Sequence, residues 1–151
     1  MVKQKEIKEI RKAKKMLDHQ LKAKLKEKLL EILGDNDLDN GFTLVELSGG
    51  VLNKNYITEN DKKEVYQIIV SIRKDTDNCL AFRNGRYGWA KTKEDVDTYR
   101  TTNITNGLKK VKSNINKLPK NYEALGITES PNLMINTKIK EFGVRLIGHN
   151  N

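Results

Sequence analysis

The chain has 151 residues, room for one compact domain of about 100–200 residues with appendages and too little for two full domains. Lys and Arg number 29 against 20 Asp and Glu, a formal charge of +9 that points to an anionic partner, first of all nucleic acid. No apolar run reaches the roughly 18–20 residues of a spanning helix, and the first residues lack the apolar stretch of a secretory signal, so a cytoplasmic protein without a membrane partner is expected.

Residues 1–33 carry +6, and Ile7, Ile10, Leu17, Leu21, Leu25, Leu29 and Ile32 recur at three- and four-residue steps, which predicts a helix over 3–33. It is one helix or one bent near Asp18, stopped by Gly34, with residues 1–18 forming a basic arm. Residues 34–78 are acidic, at −4. Within them, GDNDLDNG (34–41) carries spaced carboxylates, but counted from Asp35 the glycine of a calcium loop falls seventh, at Gly41, instead of sixth, so a solvated loop is expected. Phe42, Thr43, Leu44 and Val45 start a short strand or a helix turn, a short helix is expected near 44–48 or 51–56, and Gly49-Gly50 ends whatever Leu44 to Ser48 forms.

Thr58 with Asp61 has capping-box spacing and opens a helix over 59–74. Its Val65, Ile68, Ile69 and Ile72 share one face, and Lys63, Gln67, Ser71 and Lys74 share the opposite one, free to touch a partner. CLAFRNGRYGWAKT then alternates as strands do, and Asn84-Gly85 is the preferred two-residue hairpin turn. Arg83 and Arg86 flank the turn, where backbone phosphates can reach them, and residues 79–93, which include Lys91, hold no acid. Tyr87 and Trp89 on the return strand are expected to pack beneath helix 59–74, and Cys79 to be a small buried hydrophobe.

Helix, short helix, helix and basic hairpin is the order of the winged helix-turn-helix superfamily, which residues 19–93 resemble; AFRNGRYGWA is similar to the wing of its HARE-type subgroup. The resemblance implies that Lys63, Gln67, Ser71 and Lys74 form the recognition-helix face and that Arg83, Asn84, Gly85 and Arg86 form the wing tip. Modules of this kind occur in transcription-linked and restriction-linked proteins.

Residues 103–118 place Ile104, Leu108, Val111, Ile115 and Leu118 on one stripe, with five lysines between 109 and 120. This predicts a basic amphipathic helix, stopped by Pro119, that covers the core or a second protomer. A homodimer through the N-terminal or C-terminal helices is open, and residues 94–151 form a C-terminal helical extension. The apolar residues Leu133, Ile135, Ile139, Phe142, Val144, Leu146 and Ile147 leave a strand or a helix open, and His149 is expected to fray.

The expected fold is therefore α+β, mostly α: a winged helix-turn-helix core with helical extensions. One cysteine, two histidines and the absence of a phosphate loop after Gly49-Gly50 leave no catalytic constellation, no metal site and no cofactor to expect, and so no enzyme. The expected function is double-stranded DNA binding by a bacterial or phage regulator of transcription or of a mobile element, through Lys63, Gln67, Ser71, Lys74, Arg83, Asn84, Arg86 and Lys91. RNA is a third possibility, and the alternative class is a protein-interaction module that inhibits or recruits a nucleic-acid-handling enzyme. Asp61 and Glu64 on helix 59–74 favour that alternative.

Overall fold

The apolar recurrence from Ile7 to Ile32 closes as one unbroken helix, α1 (Val2–Leu33), in the computed structural model, which describes the backbone of residues 2–149 and the side chains of residues 3–143. The helix is continuous past residue 18. Its last turns alone are covered, with Leu29 and Leu33 fully buried, whereas every described side chain from Lys3 to Lys24 is exposed.

Segment 34–42 is not the solvated loop that its composition led one to expect. It lies along the hairpin: Asp37 bridges Trp89, Phe42 bridges Tyr87, and Leu38 is buried. Phe42 and Tyr87 exchange both backbone hydrogen bonds, at 2.9 and 2.7 Å, and the Trp89 N–H donates to the Asn36 carbonyl at 2.9 Å. Two glycines permit this approach. A Cβ on Gly41 would lie 2.4 Å from the Tyr87 carbonyl oxygen, and one on Gly88 would lie 2.3 Å from that of Asp37.

Thr43 caps α2 (Leu44–Leu52), its hydroxyl accepting from the Glu46 N–H at 3.2 Å. The expected break at Gly49-Gly50 does not occur; the helix runs through to a left-handed Asn53. Gly50 lies against α1, where a Cβ would meet Ile32 Cδ1 at 2.8 Å, so a small residue here lets the two helices close together.

The capping box forms as its spacing predicts: the Asp61 N–H donates to Thr58 Oγ1 at 3.1 Å and the Thr58 N–H to Asp61 Oδ2 at 3.0 Å. It opens α3 (Glu59–Asp75), which buries Val65, Ile68, Ile69 and Ile72. The hairpin follows as β1 (Leu80–Arg83) and β2 (Arg86–Trp89), antiparallel, with Leu80 opposite Trp89 and Phe82 opposite Tyr87. Asn84 and Gly85 both have positive φ, as the primed hairpin turn requires. Cys79, just before β1, is half-buried, so it is not the fully buried hydrophobe expected.

The core gathers α1, α2, α3 and the hairpin around Leu29, Leu33, Leu47, Val51, Val65, Ile69, Ile72, Leu80 and Tyr87. Each side chain of this size contributes about 1.5–3 kcal/mol when removed from water. Trp89 packs against this cluster and its indole N–H donates to the Gly34 carbonyl at 2.9 Å, closing the end of α1. This compact unit spans Met1–Tyr99, past the domain boundary expected at residue 93, and a second unit comprises Arg100–Asn151.

The next helix, α4 (Lys93–Ala124), starts earlier than expected and passes through Pro119, where a stop was expected. Pro119 forfeits one backbone hydrogen bond, yet the apolar repeat continues beyond it to Tyr122 and Leu125. The helix ends instead at Gly126, φ 71, in a Schellman pattern: the Ile127 N–H reaches the Tyr122 carbonyl at 2.9 Å and the Gly126 N–H reaches that of Glu123 at 3.0 Å. The tail forms α5 (Asn132–His149), a helix with no strand; the side chains of Val144, Leu146, Ile147 and His149 lie outside the described residues. The architecture is α+β and mostly α. No described helix is long and apolar enough to cross a membrane.

Candidate nucleic-acid interface

At about 100° per residue, Ser71 and Arg73 project from opposite flanks of α3, with Lys63, Gln67 and Lys74 on the crest between them. One flank faces α1. There an open groove of about 730 Å³ is lined by His19, Lys22 and Lys26 of α1 and by Glu64, Gln67, Ser71 and Lys74 of α3. Lys26 spans it, donating to Ser71 Oγ at 3.1 Å and pairing with Asp75. Ser71 is thus half-buried and engaged, while Lys63, Gln67 and Lys74 are exposed. Lys22, Lys63 and Lys74 have no ion-pair partner among the described residues.

The acids of α3 are largely spent within the fold. Asp61 accepts from the Thr58 backbone and from Lys54 Nζ at 3.1 Å, contacts that hold its carboxyl below the ordinary value. Glu59 pairs with Lys62 at 3.0 Å and Asp75 with Lys26; Glu64 alone faces the groove without an ion-pair partner among the described residues.

The other flank of α3 faces the hairpin. Arg73 Nε donates to the Leu80 carbonyl at 2.8 Å, and its guanidinium sits 5.6 Å from the Tyr87 ring centre and 5.4 Å from that of Tyr99. Arg73 Nη2 is buried without a hydrogen-bond partner among the described residues, which leaves the ring faces as its compensation. Burial in this cluster raises the Tyr87 phenol above its ordinary value, against the opposing pull of Arg73.

The hairpin-tip arginines do not stand apart from acids. Residues 79–93 contain none, but folding brings three: Arg83 pairs with Asp95 at 2.8 Å and with Asp39 at 3.0 Å, and Arg86 lies 3.7 Å from Glu46. Arg86 also donates to the Gly41 carbonyl at 3.0 Å. Asn84 is exposed at the turn. Lys91 is exposed beside a smaller cavity of about 230 Å³ that Asp35, Asn78 and Trp89 also line. It adds to the pull of two Asn40 hydrogen bonds, both 3.0 Å, that lower the Asp37 carboxyl.

The eight residues expected to act together therefore divide. Lys63, Gln67, Ser71 and Lys74 share the crest and its α1 flank; Arg83 and Arg86 brace the hairpin against α2, α4 and segment 34–42; Asn84 stays exposed at the turn; Lys91 stands by the second cavity. The contribution of α1 escaped the sequence reading. Its signal was present, since Lys22 and Lys26 lie seven and three residues before Leu29, on the border of the stripe that enters the core. Among the described residues, no group of His, Cys, Asp and Glu could hold a metal ion. No family model, no curated protein and no solved structure matches this chain.

Proposed function

We propose that this chain binds double-stranded DNA as a winged-helix protein, with α3 as the element that enters the major groove, and acts as a regulator of transcription or of a mobile element. One observation carries the reading: Lys22, Lys63 and Lys74 stand unpaired along α3 and its α1 flank while most acids of the same surface are neutralised internally. α3 is 17 residues, about 25 Å long, and an α-helix fits a major groove about 12 Å wide. Gln67 on the crest supplies both an amide donor and an acceptor for a base edge. The order helix, short helix, helix, hairpin, with segment 34–42 paired onto β2, supports the winged-helix assignment.

The test is a titration of duplex DNA at several salt concentrations with the intact chain and with Lys63→Glu/Lys74→Glu. Four neutralised phosphates give a log–log slope of about −3.6, and the double variant flattens it. Affinity that ignores both salt and these substitutions rejects the proposal.

A second reading is favoured by the hairpin tip. Arg83 and Arg86 already meet Asp39, Asp95 and Glu46, so the tip presents mixed charge, which suits a protein surface better than a polyanion. A protein partner retained by a chain that fails to hold duplex DNA, duplex RNA or single strands selects this interaction module.

A further inference from the structure

The apolar repeat of α4 in the second unit is a heptad. Ile104, Leu108, Val111, Ile115, Leu118, Tyr122 and Leu125 alternate four- and three-residue steps without a polar interruption. Leu108, Ile115 and Tyr122 take the a positions, and Ile104, Val111, Leu118 and Leu125 the d positions. Within the protomer this seam is bare over its first half and at its end, while Ile115, Leu118 and Tyr122 are half-buried. Ile104, Leu108, Val111 and Leu125 are 61%, 63%, 49% and 77% exposed, and α5 does not cover them, since its own Leu133 and Phe142 are 80% and 67% exposed. Three heptads of apolar a and d residues exceed what a solvated helix face needs.

We propose that this seam is covered by the same helix of a second copy, in a parallel, in-register two-stranded coiled coil. The charge pattern allows that occupant. In a parallel pair, each g residue faces the e residue five positions on in the partner helix; here Gly107 faces Lys112 and Asn114 faces Pro119. No like charges meet across the seam. Lys109, Lys110, Lys117 and Lys120 occupy b, c and f positions, on the outer surface, so pairing does not force them together. An antiparallel pair matches e with e, which sets Lys112 against its own counterpart when that residue is centred.

Gly107 adds a separate observation. A glycine inside a helix costs conformational entropy, and a Cβ at this position would meet nothing within 4 Å in the protomer, so the chain itself gives it no packing reason. In the parallel register it leaves room for the Lys112 stem of the other helix. The pairing goes beyond DNA binding and does not depend on it.

Sedimentation equilibrium of the intact chain tests the pairing. The expected mass is twice 17.3 kDa. Leu108→Glu with Val111→Glu returns it to 17.3 kDa while Trp89 emission, which reports the first unit, stays unchanged. Register is read from two further variants: Gly107→Glu, which meets Lys112 of the other helix, binds more tightly than Gly107→Lys, and Val111→Cys in a Cys79→Ser background cross-links to its own counterpart. A wild-type chain at 17.3 kDa, or a dimer indifferent to the Leu108 and Val111 changes, overturns the proposal. Equal behaviour of the two Gly107 variants, or failure of Val111→Cys to cross-link within the dimer, overturns the parallel register.

Discussion

At the hairpin tip, Arg83 and Arg86 end against carboxylates of other elements, whereas Lys63 and Lys74 on α3 end in solvent. The difference follows from neighbours. The strands are four residues each, so the tip stays within side-chain reach of segment 34–42, α2 and the first turn of α4. The crest of α3 faces away from the core; on one flank α1 brings lysines, and on the other Arg73 is turned in against the hairpin. A cation available to a polyanion is one the fold has left unpaired, and charge density along the chain does not reveal which those are. A phosphate arriving at Arg83 has to displace two carboxylates; one arriving at Lys63 displaces only water.

The strongest way to break this contrast is to detach the hairpin from segment 34–42. Gly88→Ala puts a methyl group against the Asp37 backbone, which cannot rotate away as a side chain can. The expected loss is about 3 kcal/mol or more, read as a lower denaturant midpoint with an unchanged m-value. A variant as stable as the parent shows that the segment is not held where its hydrogen bonds place it.

The next effect separates the two cationic regions by function. Replacing both Lys63 and Lys74 by Ala lowers the magnitude of the salt slope for duplex DNA by about 1.8, two phosphate contacts' worth, and leaves the unfolding midpoint in place. Arg83→Ala with Arg86→Ala does the reverse. It costs about 0.5–2 kcal/mol of stability, small because both side chains are more than one-third exposed, and leaves the slope unchanged. Equal effects of the two pairs on the slope erase the distinction drawn between strut and contact.

The same contrast marks what the sequence could reveal. The bounds of α3, its Thr58–Asp61 box and the Asn84-Gly85 turn are legible because each rests on residues within a few positions. The path of α2 through Gly49-Gly50 is not, because it depends on Ile32 of α1; nor is the seating of segment 34–42, which requires Gly41 and Gly88 to meet distant backbone. Asp39 lies 44 residues before Arg83 and Asp95 lies 12 after it, so no local window shows that the tip is neutralised. For the candidate site, the crest of α3 was readable from helical period alone, whereas its α1 flank required the tertiary fold.

The smallest effects come from titration, and they probe how each region is anchored. Asp61 fixes the start of α3, and its carboxyl is held below the ordinary 3.8 by Thr58 and Lys54. Its contribution is complete above that ordinary value and is lost as pH falls through the lowered one. Tyr87 ties β2 to Phe42 and to the core, and burial raises its phenol above 10.0. Its contribution is complete below 10.0 and is lost as pH rises through the raised value, because the unfolded chain then ionises first. Tyr87→Phe keeps a ring near Phe82 and Arg73 and removes the alkaline limb; Asp61→Asn removes part of the acid limb. Stability measured across pH therefore reports the two anchors separately, the start of α3 from the acid side and the hairpin from the alkaline side. An alkaline limb that survives Tyr87→Phe assigns that loss to another group and removes Tyr87 as the hairpin's anchor.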